Sequence, residues 1–143
     1  MFLGQYQHNL EKKGRVSIPK KFRVLLKTGA VLTKGLDGCL FLFPRKTWEK
    51  IVGKLTQAPL TQKDARSFSR HLTYGAFEVD FDKLGRILIP NALRDYAQIK
   101  KSVIITGALD RVEIWDETIL KQYNAKIEKS TDLIAERLSQ LGI

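Results

Sequence analysis

Residues 4–19 read GQYQHNLEKKGRVSIP and residues 75–90 read GAFEVDFDKLGRILIP. Laid over one another without a gap, at an offset of 71, they share Gly4/Gly75, Lys12/Lys83, Gly14/Gly85, Arg15/Arg86, Ile18/Ile89 and Pro19/Pro90. Arg23/Arg94 follows in step, and Tyr6/Phe77, Leu10/Phe81, Glu11/Asp82 and Val16/Ile87 are chemical matches. Further along the offset becomes 72, where Gly35 meets Gly107 and Phe43 meets Trp115. An ordered run of this kind marks an internal repeat, so the 143-residue chain is two copies of one small unit.

Each copy reads as strand, tight turn, strand, short helix, strand, turn, strand, helix. In the first, Tyr6, His8 and Leu10 alternate with Gln5, Gln7 and Asn9, the two-residue period of a half-buried strand. Lys13-Gly14 is a turn signal because glycine takes positive φ without steric cost. Val16 and Ile18 continue the alternation until Pro19 stops it and opens a short helix, Lys20 to Lys27, with Phe22, Leu25 and Leu26 on one face. Strands follow at Ala30–Thr33 and Cys39–Phe43 around the turn Leu36-Asp37-Gly38, then a helix carrying Trp48, Ile51, Val52 and Leu55. The second copy repeats the plan through Ala76–Phe81, Arg86–Pro90, Asn91–Ala97, Ser102–Gly107 and Val112–Trp115.

Between the copies, Gln57-Ala58-Pro59 breaks the preceding helix, and Thr61 is a fitting N-cap for a connecting helix from about Gln62 to Leu72. Glu117 to Leu141 reads as one long helix with a single apolar stripe: Leu120, Tyr123, Ile127, Ile134, Leu138 and Leu141. That stripe fits packing on its own domain, and it equally fits packing on a neighbouring subunit. The organisation expected is therefore a first repeat at 1–55, a linker with a helix at 56–74, a second repeat at 75–125 and a helical tail at 126–143.

Composition limits the function. With 43% hydrophobic and 28% charged residues the chain is globular rather than disordered. No stretch approaches the roughly 20 apolar residues of a membrane span, Met1–Leu10 has no signal-like apolar run, and the single cysteine, Cys39, leaves no internal disulfide. Together these lead to the expectation of a cytoplasmic protein with no membrane partner. The net charge of +10 suits a polyanion. It is unevenly spread: residues 1–71 hold 15 Lys and Arg against 4 Asp and Glu, whereas residues 72–143 hold 10 against 11. The first half should face whatever polyanion binds.

The chemistry concentrates at the two turn tips, Glu11-Lys12-Lys13-Gly14-Arg15 and Asp82-Lys83-Leu84-Gly85-Arg86. An acid four residues before an arginine can reach it across a tight turn and hold the guanidinium in one orientation. Arginine presents a planar fork of donors that suits phosphate oxygens or the guanine edge. Lys12, Lys13, Lys20 and Lys83 add attraction for phosphate, and Gly14 lets the backbone approach a surface. The candidate nucleic-acid contacts are thus Lys12, Lys13, Gly14, Arg15, Lys20, Lys83 and Arg86, with Glu11 and Asp82 as braces. The Asp82–Arg86 pair, in the half that is not basic, could equally be an ion pair that only stiffens its turn. For Arg15, in the basic half, the nucleic-acid role is favoured over that reading, and Lys20, Lys21 and Arg23 could be a solvated helix face.

Other constellations fail. One cysteine with His8 and His71 cannot make a usual zinc site. Cys39 with His71 as a nucleophile pair is conceivable, but the apolar run around Cys39 favours a buried structural thiol. No phosphate-binding glycine loop is present. Asp110, Glu113, Asp116 and Glu117 lack a defined ligand spacing and read as a solvated acidic face. The expectation is no catalytic residue, no metal, no cofactor and no enzyme.

The stretch Met1 to Pro19, Gly35-Leu-Asp-Gly-Cys-Leu-Phe41, Asp82 to Pro90 and Arg111-Val-Glu-Ile-Trp115 together resemble the MraZ family of bacterial transcription regulators. The resemblance covers about residues 1–125, in order, and the family is similar to the AbrB-type swapped-hairpin DNA-binding fold. It implies an α+β fold in which duplicated β-rich half-repeats interleave as a pseudo-symmetric swapped-hairpin β-barrel with flanking helices. It implies a homo-oligomeric ring, commonly of eight chains, at the nucleoid. The ring presents its tip arginines to direct repeats in double-stranded promoter DNA upstream of the division and cell-wall gene cluster, usually as a repressor. The family's signature arginine falls on Arg15 and Arg86 and its signature acid on Glu11 and Asp82. Glu11 departs from the usual aspartate by one methylene while keeping the charge, so the brace of the first copy is expected to differ slightly. Two other classes stay in view, a scaffold that docks acidic partners and an antitoxin-like protein-interaction module.

Overall fold

The structure is a computed structural model and describes all 143 residues. The first repeat supplies β1 (Gln5–Asn9), β2 (Arg15–Ser17), α1 (Lys20–Leu26), β3 (Ala30–Lys34), β4 (Leu40–Pro44) and α2 (Arg45–Gln57). The connecting helix is α3 (Lys63–Tyr74). The second repeat supplies β5 (Phe77–Val79), β6 (Arg86–Leu88), α4 (Asn91–Tyr96), β7 (Ser102–Gly107), β8 (Val112–Asp116) and α5 (Glu117–Glu128), followed by α6 (Thr131–Leu138) and a last 3-10 turn.

The strands pair across the repeats. One antiparallel sheet runs in the order β1-β7-β8-β4-β3-β5, and β2 pairs with β6 in a separate ribbon. Exchanging each strand for its repeat mate reverses that order and leaves it unchanged, so a pseudo-twofold axis passes between β4 and β8 and through the ribbon. The two arms of each tip therefore part: β1 goes to β7 and β2 to β6, and only the turn itself closes locally. The fold is α+β with interleaved repeats. Its sheet is open at the edge strands β1 and β5 rather than hydrogen-bonded into a closed barrel.

The packing explains the sequence pattern. One face of the sheet meets the ribbon and the short helices in a core that includes Val16, Ile18, Phe22, Leu32, Leu40, Leu42, Ile87, Ile89, Leu93, Ile105 and Ile114. The other face holds Cys39, Phe41, Phe43, Ile104 and Trp115 under Trp48 and Ile51 of α2 and Ile119, Leu120 and Tyr123 of α5. Central strands β3 and β4 are covered on both faces, so their apolar runs do not alternate, whereas edge strand β1 does.

Several boundaries differ from expectation. β5 stops at Val79, short of Phe81, because only Phe77–Val79 has a partner on β3. The connecting helix begins at Lys63, after Gln62, and no side chain caps it. Leu25 lies 41% exposed while Phe22 and Leu26 are buried, so the α1 face is narrower than the apolar spacing suggests. The long C-terminal helix is two helices. Lys129 and Ser130 interrupt it, with the Thr131 hydroxyl donating to the Ile127 carbonyl at 2.9 Å across the break. Asp116 is not part of a solvated acidic face. It is buried, and its carboxylate accepts from Thr118 N at 3.0 Å and Ile119 N at 3.3 Å, capping α5. Asp110 and Glu113 both pair with Arg111, and Glu117 with Lys121. No helix is long and apolar enough to cross a membrane.

Candidate nucleic-acid interface

The ribbon brings the two turns together at one end of the molecule. Each turn closes on itself: Glu11 N–H donates to Arg15 O at 2.7 Å, and Asp82 N–H to Arg86 O at 3.0 Å. Each is also tied to the opposite repeat, because Ile89 N–H donates to Gly14 O at 2.8 Å and Ile18 N–H to Gly85 O at 3.1 Å. Gly14 (φ +80°) and Gly85 (φ +77°) sit in the left-handed region, where a side chain is strained.

The braces differ between the copies. In the second, Asp82 Oδ1 accepts from Leu84 N and Arg86 N, both at 2.9 Å, and Oδ2 accepts from Arg86 Nε at 2.8 Å. The backbone N–H of Arg86 is the main reason the Asp82 carboxyl is held below its ordinary value, and the Arg86 guanidinium adds to it. In the first copy, the expected Glu11–Arg15 contact is absent. The extra methylene carries the Glu11 carboxylate past its own turn, where it accepts from Arg86 Nη1 at 3.3 Å. Arg15 instead has its nearest carboxylate across the axis, Asp82 Oδ2 at 3.9 Å, beyond hydrogen-bond length. Without an aspartate to catch its turn amides, the first tip also places Lys13 at φ +65°, a conformation that no residue of the second tip but Gly85 adopts.

Arg86 is thus held by two acids, whereas Arg15 is 37% exposed at its side chain and free of direct hydrogen bonds. Lys12, Lys13, Lys20 and Lys83 are exposed and make no ion pair, and Gly14 is buried beneath its turn. Two further arginines reach the tips unannounced by motif: Arg94 lies against Gly14 and Arg23 against Gly85. Their signal in the sequence is the identity Arg23/Arg94 beyond the matched turns, but only the interleaving assigns each to the opposite tip.

The remaining candidates behave as structural groups. Cys39 is buried, burial pushes its thiol well above the ordinary range, and its Sγ contacts Leu36 O at 3.3 Å. The His71 ring nitrogen meets Gly35 O at 2.7 Å rather than the thiol. No group of three or more His, Cys, Asp or Glu is placed to hold a metal.

A sequence profile of the family described as "MraZ protein, putative antitoxin-like" matches the chain twice, over residues 1–71 and 72–141, one match on each repeat. A protein of Thermoanaerobacter pseudethanolicus is 49% identical over 143 residues, covering the whole of both chains, and is called transcriptional regulator MraZ. Proteins of Acetivibrio thermocellus and Caldanaerobacter subterraneus, under the same description, are each 48% identical over the full length of both chains. An interleaved α+β duplication with basic tips, matched end to end by such proteins, defines a transcriptional regulator. The chain belongs to the MraZ family.

Proposed function

We propose that this regulator binds double-stranded promoter DNA through its turn tips, with Arg15 as the principal reader. The observation that carries this is the contrast at the shared ion cluster: Arg86 is engaged by Asp82 and Glu11, whereas Arg15 keeps its donors for an incoming ligand. Lys12 and Lys13 in the same turn as Arg15, and Lys20 at the start of α1, add exposed, unpaired positive charge that attracts phosphates, and Lys83 does the same at the second tip. Gly14 supplies the positive φ that the turn before Arg15 requires, and Glu11 and Asp82 hold the cluster together.

One pair of tips offers little contact area, so affinity requires several chains acting together. A homo-oligomeric ring, about eight chains in the family's usual form, repeats the tips at fixed spacing. Direct repeats about one helical turn apart then present the same DNA face to successive tips. In this reading the protein is a nucleoid-associated repressor of the division and cell-wall gene cluster, and the ribbon over the open sheet is its form of the swapped-hairpin barrel.

The test is a gel shift on the promoter upstream of the protein's own gene, with a sizing column. Arg15→Ala should lower duplex affinity by about a hundredfold or more, because a lost arginine fork is multiplied over linked sites, while the assembly elutes unchanged. Arg86→Ala should weaken binding less, since its guanidinium is already committed to two carboxylates. Binding of the Arg15→Ala protein at wild-type strength would refute the role. A scaffold or antitoxin-like module would instead hold a protein partner and show no preference for one DNA sequence over competitor.

A further inference from the structure

Beneath each tip lies an arginine from the other repeat. A Cβ built on Gly14 would stand 2.8 Å from Arg94 Cζ, and one on Gly85 2.8 Å from Arg23 Nε. Each guanidinium therefore occupies the space that the glycine leaves empty, against the turn. Neither arginine has a carboxylate within ion-pair distance, unlike Arg15, Arg45, Arg86 and Arg111. Such a half-buried cation is not there for charge neutralisation. What it touches is the opposite turn.

We infer that Arg23 and Arg94 are crossed positioning residues, Arg94 setting the Glu11–Arg15 tip and Arg23 setting the Asp82–Arg86 tip. The two clamps are unequal, and in a complementary way. The Arg94 guanidinium is anchored by donating to Asn91 Oδ1. Lys20 stands at the matching position of the first repeat, and Arg23 Nε is buried with no acceptor. The tips are unequal in the opposite sense. The second is held internally by Asp82, which accepts from two of its amides, and the first has no such bond from Glu11. The anchored clamp serves the tip that lacks its own brace.

The consequence runs against the charge distribution. Arg94 lies in the half with no net positive charge, yet it holds the tip that carries Arg15. Arg23 lies in the basic half and holds the tip that Asp82 already braces. This part rests on the DNA-binding reading given above, but the crossed pattern can be read on the free protein.

The test is amide hydrogen exchange on the full-length Arg94→Met and Arg23→Met proteins, methionine keeping the apolar stem and removing the planar head. Arg94→Met should speed exchange at Glu11 and Gly14 by about tenfold and leave Asp82 and Gly85 within about twofold. Arg23→Met should affect Gly85 only modestly, and strongly once combined with Asp82→Ala, which removes the acceptor of the turn amides. Arg94→Lys, which keeps charge without the flat fork, should show the same pattern and serves if the methionine protein does not fold. Equal effects on both tips, or an effect confined to the variant's own repeat, would overturn the inference. In a duplex titration, Arg94→Met should weaken binding more than Arg23→Met, and the reverse order would show that the clamps do not reach the DNA contact. If the unmodified protein binds no duplex, the functional reading falls while the exchange pattern still decides the crossing.

Discussion

A single methylene separates the two tips. Aspartate at position 82 is short enough to accept from its own turn amides and hold Arg86 at the same time. Glutamate at position 11 overshoots and binds Arg86 instead. Because the folded structure depresses the Asp82 carboxyl, its contribution is complete above the ordinary carboxylate value and disappears as pH falls through the lower folded value. Protection of the Leu84 and Arg86 amides, taken relative to the intrinsic exchange rate at each pH, should fall on acidification below about pH 4, where free carboxylates protonate; the Asp82→Asn protein should show no such step. Glycines divide on the same local grounds. Gly14→Ala would force a side chain into φ +80° and onto Arg94, so a loss of at least about 1 kcal/mol is expected in urea unfolding. Gly53, inside α2 with open space around its Cα, should gain about 0.5–1 kcal/mol as alanine in the same measurement.

Elements form where local signals and burial agree, and stop where they do not. α5 has a carboxylate N-cap and buries Leu120 against the sheet. α6 has no side-chain cap and no buried residue, and its Leu133 is 49% exposed. Removing residues 131–143 should therefore leave the unfolding free energy of the remaining chain within about 0.5 kcal/mol, measured in denaturant at a concentration where the assembly state is the same for both proteins. A larger loss would mean that α6 packs on a neighbouring chain, the second use that its apolar stripe allows. β5 shows the same rule in the sheet: its alternation continues to Phe81, but its ladder ends where β3 ends.

At the scale of the molecule, neither repeat completes a sheet. β1 needs β7, β3 needs β5 and β2 needs β6, so every repeat contributes strands whose hydrogen bonds lie in the other. Chains 1–74 and 75–143 expressed apart should each fail to fold as monomers, because a hairpin with one unpartnered face is marginal. Mixed, they should recover the strand signal in circular dichroism. A first half that folds by itself as a monomer would contradict the interleaving.

From residue order alone came the duplication, the α+β class, nearly every strand and helix, the basic tips and the resemblance that the family match bears out. The elements, the duplication and the basic tips follow from local chemistry, namely two-residue alternation, glycine and proline at turns, and charge along the chain, and the fold class follows from the resemblance. Only the tertiary structure decided which strands pair, that the tip arms part, that Glu11 serves Arg86 rather than Arg15, and that Arg23 and Arg94 each reach the opposite turn. Those are contacts between residues about fifty to a hundred apart in the chain. An internal repeat makes same-copy and cross-copy pairing equally compatible with the pattern, and the choice falls to which arrangement buries both apolar faces at once.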